Sequence, residues 1–478
     1  MLYYEIATRL GFAMTLWLRW YQAISLLRPA FSRNLTFLWF ATITAAFTVR
    51  SELLGVTSLV RALKLRPKCY DRLLSNFHSR GINLDTLCSL WAQVVLRLFA
   101  SPVRINKRLV LVGDGIKFAK RGKKMPGVKL LHQASDSNKA EFIMGHSLQS
   151  VCILMNAASS VFAVPLASRI HEGFIWSNRD RRTLLDKMIN LIRATQIKEH
   201  FYFVADAFFA NGKIADGLIE QGNHLVSRVK SNAVAFEVCP PSRIRKSGRP
   251  KKYGAKVALK SLLNDKASMQ TTPSIVYGET QGTLRYRMRD LLWRPSGRLV
   301  RFVAVVHPTR GSCVLMCTDT TLDPVEIIRI YGLRFKIEHT FKQAVNVIGA
   351  FSYHFWMMDM KPAKRRSGDK YMPCESKQYR QQVKRKLHAY HVFIQACHIA
   401  QGLAQYLSTS FPEMVWASFG SWLRTIRLGI PPSELVVTTA LRQCLPQFLL
   451  SSSETNTLAK FILEKQDKTQ FDFFRLAG

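Results

Sequence analysis

RLVLVGDG, residues 108–115, is the stretch from which the rest of this 478-residue chain can be read. An apolar run, Leu109 to Val112, is halted by Gly-Asp-Gly, the pattern of a buried strand that delivers a carboxylate, Asp114, at its C-terminal end. A basic loop follows at once, with Lys117, Lys120, Arg121, Lys123 and Lys124. Beyond it, Phe142 to Met155 and Val161 to Ile170 read as further strands of a meander, and Arg181 to Ile197 has helical spacing.

FYFVADAFFANG (201–212) repeats the device, an apolar strand ending in Asp206. A helix over 212–221 and a strand over 224–232 come next, and strand, helix, strand implies parallel pairing through a right-handed crossover. Sites in open α/β sheets form at the carboxyl ends of strands, where both aspartates are expected. Residues 233–320 read as a mostly β insertion. Its basic loop, SRIRKSGRPKKYG (242–254), contains GRPKK, which is similar to a short hook that sets Arg249 into a narrow minor groove; a solvated loop is the plainer reading.

YGLRFKIEHTFK (331–342) supplies a third carboxylate. Ile330, Leu333, Ile337, Phe341, Ala344 and Ile348 make an apolar helical stripe, with Tyr331, Arg334, Glu338 and Lys342 beside it. Alone, this is a surface helix with a favourable Glu338–Lys342 pair. Asp114, Asp206 and Glu338 together say more, because each borders an apolar element in a chain poor in acids. In-line cleavage of a phosphodiester is served by two divalent ions, and hard cations need a few oxygen ligands.

The remainder is helical. Residues 1–100 carry amphipathic runs at 10–27 and 37–49, and a helix pair at 58–65 and 67–77 with a basic fringe (Arg61, Lys64, Arg66, Lys68, Arg72) suited to DNA. The expected division is 1–100, a helical DNA-end-binding region; 101–232, the first part of a catalytic core; 233–320, the insertion; 321–360, the final core helix; and 361–478, a helical region with a role in dimerisation.

Lys and Arg number 69 against 31 for Asp and Glu, giving a net charge of +38 and calling for a polyanionic partner. The longest apolar runs are short of the roughly 18 to 20 residues that span a bilayer. The N-terminus lacks the pattern of a signal peptide. A soluble cytoplasmic protein, associated with the nucleoid and not with membranes, is therefore expected. Nine scattered cysteines without a CxxC pair argue for reduced thiols and against structural zinc.

The order and spacing of Asp114, Asp206 and Glu338, the β insertion between the last two, and Tyr-x2-Arg-x3-Glu at 331, 334 and 338 resemble the cut-and-paste DDE transposases of bacterial insertion sequences. The resemblance spans about residues 105–350. It implies a ribonuclease-H-like mixed α/β core, with the three carboxylates binding two Mg²⁺ (or Mn²⁺) ions for cleavage and strand transfer on double-stranded DNA, element ends and target alike, in a homodimer. By the same resemblance Tyr331, Arg334, Lys342 and Lys117 would hold the DNA strand, and Trp293 would stack on an unpaired base or else fill the insertion's core. The family pattern has Lys seven residues after its Glu; here that place is Val345, and Lys342 stands one turn earlier. A catalytically inactive, DNA-binding descendant is the alternative.

Overall fold

The computed structural model describes residues 15–133, 140–158, 160–240, 251–276, 279, 282–364, 366–420 and 425–469. Five helices come first, α1 (15–25), α2 (Asn34–Val49), α3 (Thr57–Ala62), α4 (Cys69–Phe77) and α5 (Leu84–Leu98). Strands β1 (Arg104–Ile105), β2 (Arg108–Ala119), β3 (Lys129–His132), β4 (Phe142–Ala157), β5 (Ser160–Ile170) and β6 (Phe174–Ile175) follow. Then α6 (Leu184–Ala194), β7 (Phe201–Ala205), α7 (Gly212–Ile219) and β8 (His224–Arg228) complete two crossovers. Strands β9 (Val234–Val238), β10 (Tyr253–Ala258), β11 (Gln270–Pro273), β12 (Thr283–Trp293), β13 (Arg298–His307) and β14 (Gly311–Cys317) precede α8 (Pro324–Gly332) and α9 (Lys336–Gln343). The chain ends in β15 (Lys370–Tyr371), α10 (Lys377–Ser410), α11 (Pro412–Phe419), α12 (Glu434–Ser452) and α13 (Thr457–Lys465).

At the centre the strands lie in the order β5-β4-β2-β7-β8, the first two pairings antiparallel and the last two parallel. A three-strand meander joined to two parallel strands through helical crossovers is the mixed α/β, ribonuclease-H-like core that the sequence implies. The later strands do not form a sheet of their own. β14 pairs antiparallel with β8, and β13, β12, β9 and β10 continue outward, so core and insertion share one 13-stranded sheet.

β2 also outruns its expected end. It continues through Gly113-Asp114-Gly115 to Ala119 because the 16-residue β4 pairs with it all the way, from Leu111↔Ile153 to Ala119↔Gly145. On its other side β7 stops at Ala205, and the parallel ladder ends at the Val112–Val204 pair. Gly113 cannot be larger, since a Cβ there would run into the Phe203 ring.

Helices cover both faces. Val110, Val112, Tyr202 and Val204 pack under Ile327, Ile330, Ile337 and Phe341 of α8 and α9. On the opposite face Leu109, Leu111, Phe203 and Met188 join the larger core, which also holds the N- and C-terminal helices. Those two helical regions form one layer: Trp17 stacks on Phe448 with centroids 5.5 Å apart, and Phe47 meets Phe393 edge-on at 4.8 Å. Accordingly α2 is not amphipathic. Every residue from Phe37 to Val49 is buried, and the hydroxyls of Thr42, Thr44 and Thr48 donate to carbonyls one turn back. The basic fringe of the 57–77 helix pair is partly tied down, Arg61 by Glu52 at 2.6 Å and Arg66 by the Glu464 carbonyl at 2.6 Å. Among the described residues no helix is long and apolar enough to cross a membrane.

Candidate active site

Asp114 and Asp206 become neighbours through strand register. Val112 pairs with Val204 across the parallel β2–β7 ladder, so two residues further on Asp114 stands opposite Asp206. Alternation along a strand puts both on the face of Val112 and Val204, beneath the α8–α9 helices. Asp206 opens a turn, its Oδ1 accepting the Phe208 N–H at 3.1 Å and its carbonyl accepting the Ser227 hydroxyl at 2.8 Å.

Glu338 arrives on α9, which packs over that face of the sheet. The Asp323 carboxylate caps α8 by accepting the Val325 N–H at 2.7 Å, and Pro324 suits the first turn. The helical run then passes through a 3₁₀ turn at Leu333–Phe335 into α9, and ends in a π-turn at Ala344–Ile348. Ile330, Ile337 and Phe341 seal one face of the sheet as their spacing predicts. Ala344 and Ile348 belong to the other core. Val345 lies in the π-turn, half-buried against that core.

Arg334 ties the carboxylates together. Its Nη1 donates to Asp114 Oδ2 at 3.0 Å and its Nη2 to Glu338 Oε1 at 2.7 Å. Burial pushes the Asp114 carboxyl up to about 6, Arg334 pulls the other way, and the charges of Asp206 and Glu338 push further up. The Gly115 N–H donates to Asp114 Oδ1 at 2.7 Å. For Arg334, burial works downward but Asp114, Tyr331 and Glu338 hold its guanidinium above the ordinary value. Burial also raises the Tyr331 phenol, which feels Arg334, Arg228 and Asp206. The three carboxylates, Tyr331 and Arg334 are therefore one electrostatic unit.

The donor set suits a hard divalent cation. Three carboxylates offer only oxygen. Among the described residues no three acidic, imidazole or thiol groups stand as a ready-made metal cage. Arg334 holds Asp114 and Glu338 in that role, so loading a cation requires the guanidinium to give way.

Other expected residues fall elsewhere. Lys342 is exposed one turn beyond Glu338. Lys117 is three residues from Asp114, hence on the opposite face of β2, and its ammonium donates to the His132 carbonyl at 2.6 Å. Trp293 is 5 % exposed and packs into the core. Arg249 lies outside the described residues. One cation escaped the sequence reading. Ala205 pairs with Ser227, which sets Arg228 beside Asp206, exposed at the end of β8. Its signal was the matched ends of two parallel strands, FYFVAD and HLVSR.

A family model described as DDE superfamily endonuclease matches residues 54–298, just over half of the sequence, including Asp114 and Asp206. The chain belongs to the DDE superfamily endonucleases. Members of this superfamily are DNA-cutting enzymes that use divalent metal ions such as Mg²⁺. Glu338 lies beyond the matched stretch, so its place in the group rests on the geometry above. Among solved structures, the NurA nuclease from Sulfolobus solfataricus is similar at 10% identity and a TM-score of 0.23, over 58% of this chain and 92% of its own, too slight a likeness to argue from. No curated protein matches this chain in sequence.

Proposed function

We propose that this DDE endonuclease is a transposase that binds the terminal inverted repeats of its own insertion sequence and moves it by cleavage and strand transfer. The observation that carries the reading is that Asp114 and Asp206 each stand two residues beyond the Val112–Val204 pair, with Arg334 joining Asp114 to Glu338 on the helix above. The Tyr331, Arg334 and Glu338 spacing supports the insertion-sequence group in particular.

In this reading Asp114, Asp206 and Glu338 hold two Mg²⁺ or Mn²⁺ ions, which when bound supply activation of the attacking oxygen and neutralisation of the leaving one. Arg334 exchanges its two carboxylates for a DNA phosphate, which a guanidinium can grip with two N–H groups. Tyr331 packs beside it. Arg228, on the far side of Asp206, takes a neighbouring phosphate, and Lys342 faces the strand from the exposed side of α9. Paired ends imply a homodimer, and the surplus of cations suits element and target DNA.

Incubation of the purified protein with terminal-repeat DNA and Mg²⁺ tests the reading. Cleavage at the repeat boundary and joining of the freed 3′ end to a second DNA are expected. A gel shift without any cutting would favour the second reading, a DNA-binding descendant that no longer cleaves. Val345 at the family's lysine position, half-buried in the π-turn, is the observation on its side.

A further inference from the structure

The segment after the Glu338 helix presents a row of side chains that the site does not use. Along residues 351–358 burial alternates: Phe351, Tyr353, Phe355 and Met357 face inward, while His354, Trp356 and Met358 face out. Trp356 is 61 % exposed and Met358 82 %. Such exposure of large apolar groups side by side usually marks an interaction surface.

The row is firmly held from beneath. Phe118 stacks on Phe351 with centroids 4.0 Å apart. The buried Lys120 ammonium donates to the carbonyls of Phe351 and, at 3.2 Å, Tyr353, and sits 3.7 Å from the Tyr353 ring centre. The Tyr390 hydroxyl donates to the Phe355 carbonyl at 2.7 Å, and the Met357 N–H to the Lys124 carbonyl at 3.0 Å. Lys124 in turn donates through Nζ to the Met358 carbonyl at 2.9 Å. Outward rings on so fixed a support are pre-organised for contact.

Charge decides the partner. Arg121, Lys123, Lys361, Lys364 and Arg366 are exposed on the same strap and on the loop packed against it, joined by the Ala363 N–H to Lys123 carbonyl bond at 2.7 Å. Asp359 is bonded to Gln382 at 2.9 Å. A second copy would bring the same cations to this face and be repelled. A polyanion whose units carry flat π-faces fits both the cations and the rings, and only unpaired bases expose those faces.

We infer that this strip is a seat for single-stranded DNA, a base stacking on Trp356 between His354 and Met358 with the surrounding cations on the phosphates. The inference rests on the DNA-cutting function proposed above and adds where an unpaired strand lies. Lys120 follows directly on β2, six residues beyond Asp114, roughly 20 Å along the chain at ~3.3 Å per residue.

The test compares the full-length protein with Trp356→Ala and Trp356→Phe, using a 20-nucleotide oligo-dT containing one 2-aminopurine and a blunt terminal-repeat duplex. Trp356→Ala is expected to bind the single strand about ten-fold more weakly and to lose the quenching of 2-aminopurine, with duplex binding changed less than about two-fold; Trp356→Phe keeps most of both. Equal single-strand binding and quenching by wild type and Trp356→Ala, or no single-strand binding by the wild type, overturns the inference. So does a Trp356→Ala change seen only in sedimentation, which would make the strip a contact between copies. Wild type that binds and quenches but never cuts duplex ends would overturn the proposed enzyme while leaving the strip intact.

Discussion

The guanidinium of Arg334 spans from Asp114, at 3.0 Å, to Glu338, at 2.7 Å, and so stands where a divalent cation would have to compete for the same oxygens. Two partners contend for each end of this bridge: phosphate for the arginine, metal for the carboxylates. DNA and metal should therefore favour one another's binding.

Arg334→Gln is expected to bind Mn²⁺ more tightly than the wild type without DNA, because the resident counter-charge is gone. It should bind terminal-repeat DNA more weakly, with the slope of log affinity against log salt reduced by about one. Mn²⁺ titration by electron paramagnetic resonance and DNA binding across a salt series check the two halves. Unchanged metal affinity would mean that Arg334 does not compete for the carboxylates.

Arg228, beside Asp206, gives a cleaner test of the DNA path because it touches no carboxylate of the trio in the structure's ion pairs among the described residues. Arg228→Ala should weaken duplex binding uniformly across sequences and lower the salt slope by about one, while Mn²⁺ binding stays as it was. Sequence-selective loss would contradict a phosphate contact.

Much of this arrangement was legible in the sequence, for physical reasons. LVLV and FYFVA read as buried strands because both faces of a central parallel pair are covered, and the Ile330, Ile337, Phe341 stripe read as a helix because only one side of it packs. What was hidden depends on distant partners. β2 runs past Gly115 because β4, some 26 to 34 residues away in sequence there, supplies a ladder. β14 closes on β8 rather than in a separate sheet. Trp293 reads equally as a stacking ring or core filler until β12 and its neighbours are assembled. Arg228 gained its meaning only from register with Asp206.

Gly113→Ala tests the close approach that fixes the height of Asp114. A methyl group there collides with the Phe203 ring, so the variant should lose about 1–3 kcal/mol of stability, visible as a lower urea midpoint. An unchanged midpoint would show that β2 and β7 can shift freely at the site.

Acid should destabilise the fold through its buried imidazoles. Burial holds His146 and His398 down at about 3, against 6.5 when unfolded, with His146 wedged between the Tyr353 hydroxyl at 2.8 Å and the Pro126 carbonyl at 3.0 Å. Below 6.5 the unfolded chain takes up protons that the folded one refuses, so stability falls as pH drops from 6.5 towards 3. By pH 5 the cost is about 2 kcal/mol for each imidazole. Urea midpoints at pH 7.5 and 5.0 measure it, and His398→Gln should shrink the difference while leaving the share of His146.

The central claim is that Asp114, Asp206 and Glu338 are the cation-holding, strand-cutting group. The most direct measurement is anomalous diffraction from crystals of the DNA complex grown with Mn²⁺. The account predicts manganese at ~2.0–2.3 Å from carboxylate oxygens of all three residues, with Arg334 moved onto a phosphate. Manganese bound elsewhere, or Arg334 still bridging Asp114 and Glu338 in the loaded complex, would contradict it.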